Sequence, residues 1–362
     1  MLTPRAVVQG LKEYHPPLGN RNGLRLDFNE NVGGCSPRVL DVLRNLSTEV
    51  LNKYPERECG EQLVAAALGV PLSQLLLTNG VDEAIHLLCE TYLEPADEVL
   101  IAVPTFSMYE IYALSTGAVV RMVQAGEDLA FPTEAMLRAL NKKTKMVCIA
   151  NPNNPTGAVV SGDDLLRICD AAPWAAVLID EAYFDFYGRT MIGAIADREN
   201  VFVARTFSKA YGLAGFRVGA LIGPEEQMRS VRRVSSPYNV NGVALECLAA
   251  ALGDHGFIER YVADVKQGRA ALETFYGERG IRYWPSAANF VLAYFGEHRK
   301  RFVAEMRRRG ILVRDRHNDP GCDGCVRITL GTREQNAFLM RELSAVLEHI
   351  GFAAKPSMEP AR

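Results

Sequence analysis

The sequence lacks several patterns that would direct it to particular classes of protein. No apolar run approaches the roughly 18 residues that a membrane-spanning helix needs. The N-terminal residues lack a charged segment followed by an apolar one, so no signal peptide is expected. No GxGxxG or GxxxxGK(S/T) motif occurs, which argues against dinucleotide sites and P-loop nucleotide sites.

The chain also lacks a strong excess of either charge. Lys and Arg number 40 and Asp and Glu 43, giving a net charge of −3. Neither nucleic acid nor a membrane is therefore expected as a partner, although pockets for small anions stay open. The basic run at residues 299–310 is typical of the solvated face of an amphipathic helix.

The eight cysteines are scattered and show no disulfide or metal framework. Cys322 and Cys325 form a C-x-x-C pair, which can be redox-active or half of a zinc site. No second pair lies nearby, so no metal site is expected. The pattern favours free thiols and a cytoplasmic location.

Short apolar runs, among them residues 176–181 and 201–206, alternate with helical patterns between residues 75 and 225, which predicts an α/β fold with a mostly parallel sheet. The runs after residue 288 predict a smaller α+β domain. With 362 residues, about two domains are expected. The first 25 or so residues are rich in Pro, Gly and Asn and predict an extended N-terminal arm (1–25). We further predict a large domain (46–250), a small domain (26–45 and 251–355) and a frayed tail (356–362).

Lys209 follows an apolar strand in a turn rich in small and hydroxyl residues. Desolvation there would lower its pKa and make it a candidate to form a Schiff base. Thr206 and Ser208 offer hydroxyl donors, and Arg217 offers a cation suited to phosphate. The alternative is a surface lysine beside a glycine turn.

Three further polar segments follow predicted strands, where parallel sheets hold their ligands. Asp180 ends one strand and is followed by Tyr183; the alternative for Asp180 is a helix N-cap. Asn154 lies in the loop 151–157, which contains two prolines; the alternative is a rigid turn without a binding role. The backbone N–H groups of Val81 and Asp82, at a helix start, can bind an anion.

In order and spacing, these segments resemble the fold-type-I pyridoxal-phosphate (PLP) aminotransferase family, and within it the histidinol-phosphate aminotransferase branch. The resemblance runs from about Tyr14 to residue 349. Its motifs include LDFNEN (26–31), KYP (53–55), PTFSMY (104–109), NPNNPTG (151–157), IDEAYFDF (179–186), RTFSKAYGLAGFRVG (205–219), GILVRD (310–315) and CVRITLG (325–331).

The resemblance implies a role in cofactor binding for eleven residues. It makes Lys209 the covalent attachment point and Asp180 the partner of the protonated ring nitrogen. Asn154 and Tyr183 would donate to the ring O3′, and Phe106 would stack on the ring. The phosphate would be held by Val81, Asp82, Thr206, Ser208 and Arg217, and by Tyr54 of a second subunit of a homodimer.

The resemblance also implies substrate contacts. Arg327 would bind the α-carboxylate, with Asn154 beside it, and Arg314 would face a substrate phosphate. Tyr14 would reach that phosphate from the partner subunit. The alternatives are an exposed sheet residue for Arg327, a loop salt bridge for Arg314 and arm packing for Tyr14.

The expected reaction is transamination between histidinol phosphate and 2-oxoglutarate, with Lys209, Asp180 and Tyr183 at the reacting centre. It yields imidazole acetol phosphate and glutamate, a step of histidine biosynthesis. Three alternatives stay open: an aromatic amino acid aminotransferase, a PLP-dependent decarboxylase of an amino acid phosphate, and a PLP-binding protein without turnover.

Overall fold

The computed structural model describes residues 2–352, apart from residues 12, 16–18 and 20. The predicted frayed tail, 356–362, lies outside the described residues. The strands of this part of the chain are β1 (Leu24–Leu26), β2 (Leu75–Thr78), β3 (Glu98–Val103), β4 (Val119–Gln124), β5 (Thr144–Ala150), β6 (Ala176–Asp180), β7 (Val201–Thr206), β8 (Gly219–Ile222), β9 (Tyr283–Trp284), β10 (Phe290–Tyr294), β11 (Ile311–Asp315) and β12 (Cys325–Thr329).

The α-helices are α1 (Ala6–Gln9), α2 (Pro37–Arg44), α3 (Thr48–Asn52), α4 (Arg57–Leu68), α5 (Gly80–Tyr92), α6 (Met108–Thr116), α7 (Thr133–Ala139), α8 (Gly162–Ala171), α9 (Phe184–Tyr187), α10 (Glu225–Val234), α11 (Gly242–Leu252), α12 (His255–Glu278), α13 (Arg299–Arg308) and α14 (Arg333–His349). Short 3₁₀ helices occur at Leu72–Gln74, Ile192–Asp197, Ala214–Phe216 and Gly296–His298. None of the helices described is long and apolar enough to cross a membrane.

The larger sheet has the strand order β2-β8-β7-β6-β5-β3-β4. Its strands run parallel except β8, which pairs antiparallel with both β2 and β7. The predicted mostly parallel sheet is confirmed. Because β2 runs in the same direction as β7, the carboxyl ends of β2, β3, β5, β6 and β7 all lie at one edge.

Except at the exposed edge strand β4, both faces of this sheet are buried, which explains the continuous apolar runs in the other strands. Successive side chains point to opposite faces, so Leu75 and Leu77 enter one core while Leu76 enters the other. The first core includes residues of α4, α8 and α11, and the second includes residues of α5, α6 and α10.

The smaller sheet has the order β1-β11-β12-β10-β9. β1 pairs parallel with β11, whereas the other pairs are antiparallel. Its core is formed with α12, α13 and α14. The predicted smaller α+β unit is therefore present, and the domain boundaries themselves stay a prediction.

The N-terminal arm differs from the extended segment that the sequence predicts. Residues Ala6–Gln9 form one helical turn that packs against α6, where Arg5 donates to the carbonyl of Thr116. The end of the predicted arm is also a strand, because Leu24–Leu26 joins the smaller sheet. The local excess of Pro, Gly and Asn gave no signal for either pairing.

Candidate active site

One cleft of about 370 Å³ is lined by loops that follow the strands of the larger sheet and by residues of the smaller sheet. It brings together most of the residues that the sequence singled out: Tyr14, Val81, Asp82, Phe106, Asn154, Asp180, Tyr183, Thr206, Ser208, Lys209, Arg217, Arg314 and Arg327. Parallel strands ending at one edge explain why residues so distant in sequence meet here.

Lys209 lies in the turn after β7 and points into this cleft. Its Nζ donates to the carbonyl oxygen of Phe28 at 3.2 Å and lies 6.0 Å from the ring centre of Tyr183. Desolvation, with a further contribution from the positive charge of Arg327, lowers the pKa of Lys209 to about 8. A larger fraction of its amine is therefore neutral near physiological pH than for an ordinary lysine, as a nucleophile requires.

Asp180 is the last residue of β6 and is only 4% exposed. It accepts hydrogen bonds from the Tyr109 hydroxyl at 2.6 Å and from the Ala182 N–H at 3.0 Å. Burial raises the pKa of Asp180 to about 6, although both hydrogen bonds oppose that rise. The N-cap alternative is wrong, because the next helix begins at Phe184 and its N-cap is Tyr183. A buried carboxylate of this kind is suited to a cationic partner.

Tyr183 and Asn154 line the same cleft beside Asp180. The Tyr183 ring meets the Phe290 ring edge to face, and its hydroxyl accepts a hydrogen bond from Asn29 Nδ2 at 2.8 Å. Burial raises the pKa of Tyr183, so the phenol keeps its proton. The side-chain oxygen of Asn154 accepts from Arg327, which places this amide between the two sheets.

The start of α5 forms a cradle for an anion. Gly80 opens the helix at φ +74°, in the left-handed region that favours glycine, and a Cβ there would lie 2.5 Å from Arg217 Nη2. Arg217 in turn donates to the Asp82 carboxylate at 2.9 Å. The hydroxyls of Thr206 and Ser208 line the same cleft. Backbone N–H groups, hydroxyls and one guanidinium are the groups that bind phosphate.

Arginines converge at the other end of the cleft. Arg314 on β11 and Arg327 on β12 lie directly opposite each other in the register, and Arg316 follows two residues later. Like charges facing each other in a sheet are unfavourable unless an anion joins them. Desolvation and the charges of Arg316 and Arg314 lower the pKa of Arg327 to about 9.

Arg327 and Arg314 each have a buried N–H donor without a hydrogen-bond partner. Arg327 is 4% exposed and donates to the carbonyl of Asp27 at 2.7 Å, which is not the geometry of an exposed sheet residue. Its Nε and the Nη1 of Arg314 are buried without a hydrogen-bond partner. Buried donors in this state are suited to an anionic ligand.

Two tyrosines differ from what the resemblance implies. The Tyr14 that contacts Arg314 belongs to the same chain, where its hydroxyl accepts from Arg314 Nη2 at 3.1 Å. This contact is made within one chain, and the arrival of Tyr14 from a partner subunit stays a prediction. Tyr54 lies outside the cleft; it is 78% exposed and stacks on Tyr238 with ring centres 4.4 Å apart.

Sequence reasoning missed three residues of the cleft or its walls: Tyr109, Asn29 and Arg316. Tyr109 and Asn29 lie inside motifs that were recognised, PTFSMY and LDFNEN, but nothing local indicated their partners. Arg316 forms an ion pair with Asp319 three residues later. Its position two residues after Arg314 was the one available signal.

Comparison with known proteins identifies the family. The model for "Aminotransferase class I and II" matches residues 21–343. Histidinol-phosphate aminotransferase from Geobacillus sp. (strain WCH70) is 37% identical, with 96% of each chain covered. The enzyme of that name from Moorella thermoacetica is 34% identical, covering 96% of this chain and 91% of that one.

A solved structure gives the same answer for the fold. Histidinol-phosphate aminotransferase from Sinorhizobium meliloti, in complex with pyridoxal-5′-phosphate, has a TM-score of 0.86 at 23% identity, covering 95% of this chain and 97% of that one. With a buried lysine, a buried carboxylate and an anion cradle in one cleft, the chain belongs to the class I and II aminotransferase family.

Proposed function

We propose that this chain is a PLP-dependent aminotransferase that exchanges an amino group between histidinol phosphate and 2-oxoglutarate, a step of histidine biosynthesis. The observation that carries the proposal is one cleft holding a reactive amine, a buried carboxylate and anion-binding groups at both ends. The names of the relatives above support the same substrate.

The residues of the cleft fit PLP. The cradle of Gly80, Arg217 and the first turn of α5 suits the cofactor phosphate, and Asp180 suits a protonated ring nitrogen. Phe106 lies on the cleft wall where a flat ring could stack. When bound, PLP supplies an electron sink for the carbanion formed at the substrate Cα.

Lys209 has two tasks in this proposal. Its lowered pKa favours the neutral amine that attacks the cofactor aldehyde. With substrate in the cleft, the Lys209 Nζ would also hold or release the proton of the substrate Cα, as general base and then general acid. Asp180, held by Tyr109, would supply the negative charge that pairs with a protonated ring nitrogen.

Arg314, Arg316 and Arg327 define the substrate class in this proposal. Histidinol phosphate is an amino alcohol phosphate without a carboxylate, so the α-carboxylate role expected of Arg327 can apply only to glutamate and 2-oxoglutarate. For histidinol phosphate, the same guanidinium and that of Arg314 would take the phosphate. One arginine cluster would thus serve both half-reactions.

We also propose a homodimer and a cytoplasmic location. Leu51, Tyr54 and Tyr238 are 69%, 78% and 53% exposed, which is unusual for large apolar side chains and suits a surface covered by a second copy. In that dimer Tyr54 would reach the partner's cofactor phosphate. All eight cysteines lie in the described part of the chain as free thiols, which suits a reducing compartment.

The test is a transamination panel with PLP-loaded protein and 2-oxoglutarate. Glutamate formation is measured with histidinol phosphate, with histidinol as the matched amine lacking phosphate, and with phenylalanine. We expect kcat/KM for histidinol phosphate to exceed the other two by at least about 100-fold, since two charge-assisted contacts are lost without phosphate. A clear preference for phenylalanine, or release of carbon dioxide from an amino acid phosphate, would overturn the assignment.

A further inference from the structure

Tyr183 carries the hydroxyl that faces the proposed cofactor, and a hydroxyl can both accept and donate. The residues around Tyr183 decide whether its hydroxyl accepts a hydrogen bond from the protein or donates one to it. Asn29 Nδ2 lies 2.8 Å from the Tyr183 oxygen. An amide NH2 group only donates, so the tyrosine oxygen accepts from it and the phenolic proton is left for another acceptor.

The orientation of the Asn29 amide is itself fixed by Thr329. The backbone N–H of Asn29 donates to Thr329 Oγ1 at 3.2 Å, and a backbone N–H cannot do otherwise. The Thr329 hydroxyl therefore has its proton available for Asn29 Oδ1, 3.0 Å away. With Oδ1 accepting from Thr329, the NH2 end of the amide must face Tyr183.

These groups are enclosed and held in place. Asn29 and Thr329 are 1% and 0% exposed, so water cannot substitute for a lost partner at low cost. Asn29 has φ +56°, in the left-handed region that asparagine tolerates better than most residues. Asn289 fixes the same turn by donating its Nδ2 to the Asn29 carbonyl at 3.1 Å.

We propose that Thr329 and Asn29 form a directional hydrogen-bond relay that forces the Tyr183 proton into the cleft, towards the phenolic oxygen of the bound cofactor. Asn29 and Thr329 are positioning residues that act through Tyr183. The relay joins β12 of the smaller sheet to the loop after β6 of the larger one. Among the described residues, no acceptor for the Tyr183 proton is found within hydrogen-bond distance, which leaves that proton for a ligand.

The relay rests on PLP being the cofactor, and it predicts a spectroscopic effect. A hydrogen bond donated to the cofactor's phenolic oxygen stabilises that oxygen in its anionic form. It therefore lowers the pH midpoint at which the linked Lys209 nitrogen loses its proton. This midpoint is read from the visible absorption of the protein-bound cofactor without substrate.

Asn29→Asp tests the relay with an isosteric side chain that also tolerates positive φ. Its carboxylate accepts from Tyr183, turning the phenolic proton away from the cleft, and we expect the midpoint to rise by about one pH unit. Because the new charge could act directly, the same change is made in Tyr183→Phe. In the Tyr183→Phe background, Asn29→Asp should shift the pH midpoint by less than about half as much as it does in the wild type.

Thr329→Val tests the relay without changing any charge, and it stands in if Asn29→Asp fails to fold. It frees the Asn29 amide to turn, so a smaller rise of the midpoint is expected. Equal shifts from Asn29→Asp with and without the Tyr183 hydroxyl, or an unchanged midpoint in Thr329→Val, would overturn the relay. Wild-type protein that develops no visible band with PLP would instead refute the cofactor and the proposed function.

Discussion

Replacing Asp180 by asparagine is expected to stabilise the cofactor-free protein while removing the charge that the cofactor needs. Asp180 is 4% exposed, and burial raises its pKa from 3.8 to about 6. Since the unfolded chain ionises this group more readily, stability is highest below the unfolded pKa and falls as pH rises towards the folded pKa. The loss is about 1.5 kcal/mol at about pH 5 and about 3 kcal/mol at about pH 8.

Asparagine removes this pH-dependent loss but changes the hydrogen bonds. Asp180 accepts from the Tyr109 hydroxyl and the Ala182 N–H, and an amide presents only one oxygen. The Tyr109 hydroxyl can turn and accept instead, which limits the cost to about 1 kcal/mol. The net gain for Asp180→Asn is then about 2 kcal/mol at about pH 8 and about 0.5 kcal/mol at about pH 5.

Urea unfolding of the cofactor-stripped protein at both pH values measures this difference. Asp170→Asn is the matched control: Asp170 is exposed and paired with Arg198, which lowers its pKa, so its loss should give no stabilisation. Asp180→Asn should also bind PLP weakly. A variant less stable than wild type at about pH 8, or a gain of equal size at both pH values, would contradict the reasoning.

Other outcomes follow from the same cleft. Lys209→Ala should keep its fold but lose the visible band and the label left by borohydride reduction; a label elsewhere would refute the assignment. In the wild type, attachment of PLP should accelerate between about pH 7 and about pH 9, as Lys209 loses its proton through its lowered pKa. Arg314→Ala should lower kcat/KM for histidinol phosphate about tenfold or more beyond its effect on histidinol, and an equal loss for both would remove the phosphate contact. Arg316→Gln should weaken competitive inhibition by inorganic phosphate several-fold, whereas exposed Arg301→Gln should not; equal inhibition of both variants would exclude Arg316 from the anion site.

Apart from the exposed edge strand β4, the strands of the larger sheet could be predicted closely because they are buried on both faces. The run expected at residues 201–206 is β7 itself, and that expected at 176–181 is β6 with one residue fewer. The smaller sheet was predicted less completely. β1 and β9 have three and two residues, too few to show a hydrophobic period, and β1 exists only through its pairing with β11.

For the site, the sequence indicated residues whose chemistry shows locally. Lys209 follows an apolar strand, Asp180 ends one, and Arg217 follows a glycine turn. Tyr109 and Asn29 could not be predicted from the chain, because their roles come from partners 71 and 154 residues away. The family resemblance supplied roles for Tyr14 and Tyr54 and assigned both to a partner subunit, whereas Tyr14 contacts Arg314 within one chain.

The pairing of β1 with β11 bears on how the chain matures during synthesis. Leu24 lies beside Ile311, and the adjoining Phe28 carbonyl receives the Lys209 amine. During synthesis, β1 would therefore leave the ribosome long before β11, its partner strand, has been made. The larger sheet can form earlier, because most of its strands are close to one another in sequence. The β1–β11 pair can form only after nearly the whole polypeptide has been synthesised. In nascent or C-terminally shortened chains, Lys209 would therefore lack the backbone carbonyl of Phe28 beside its amine. The complete active site would form only among the last steps of folding.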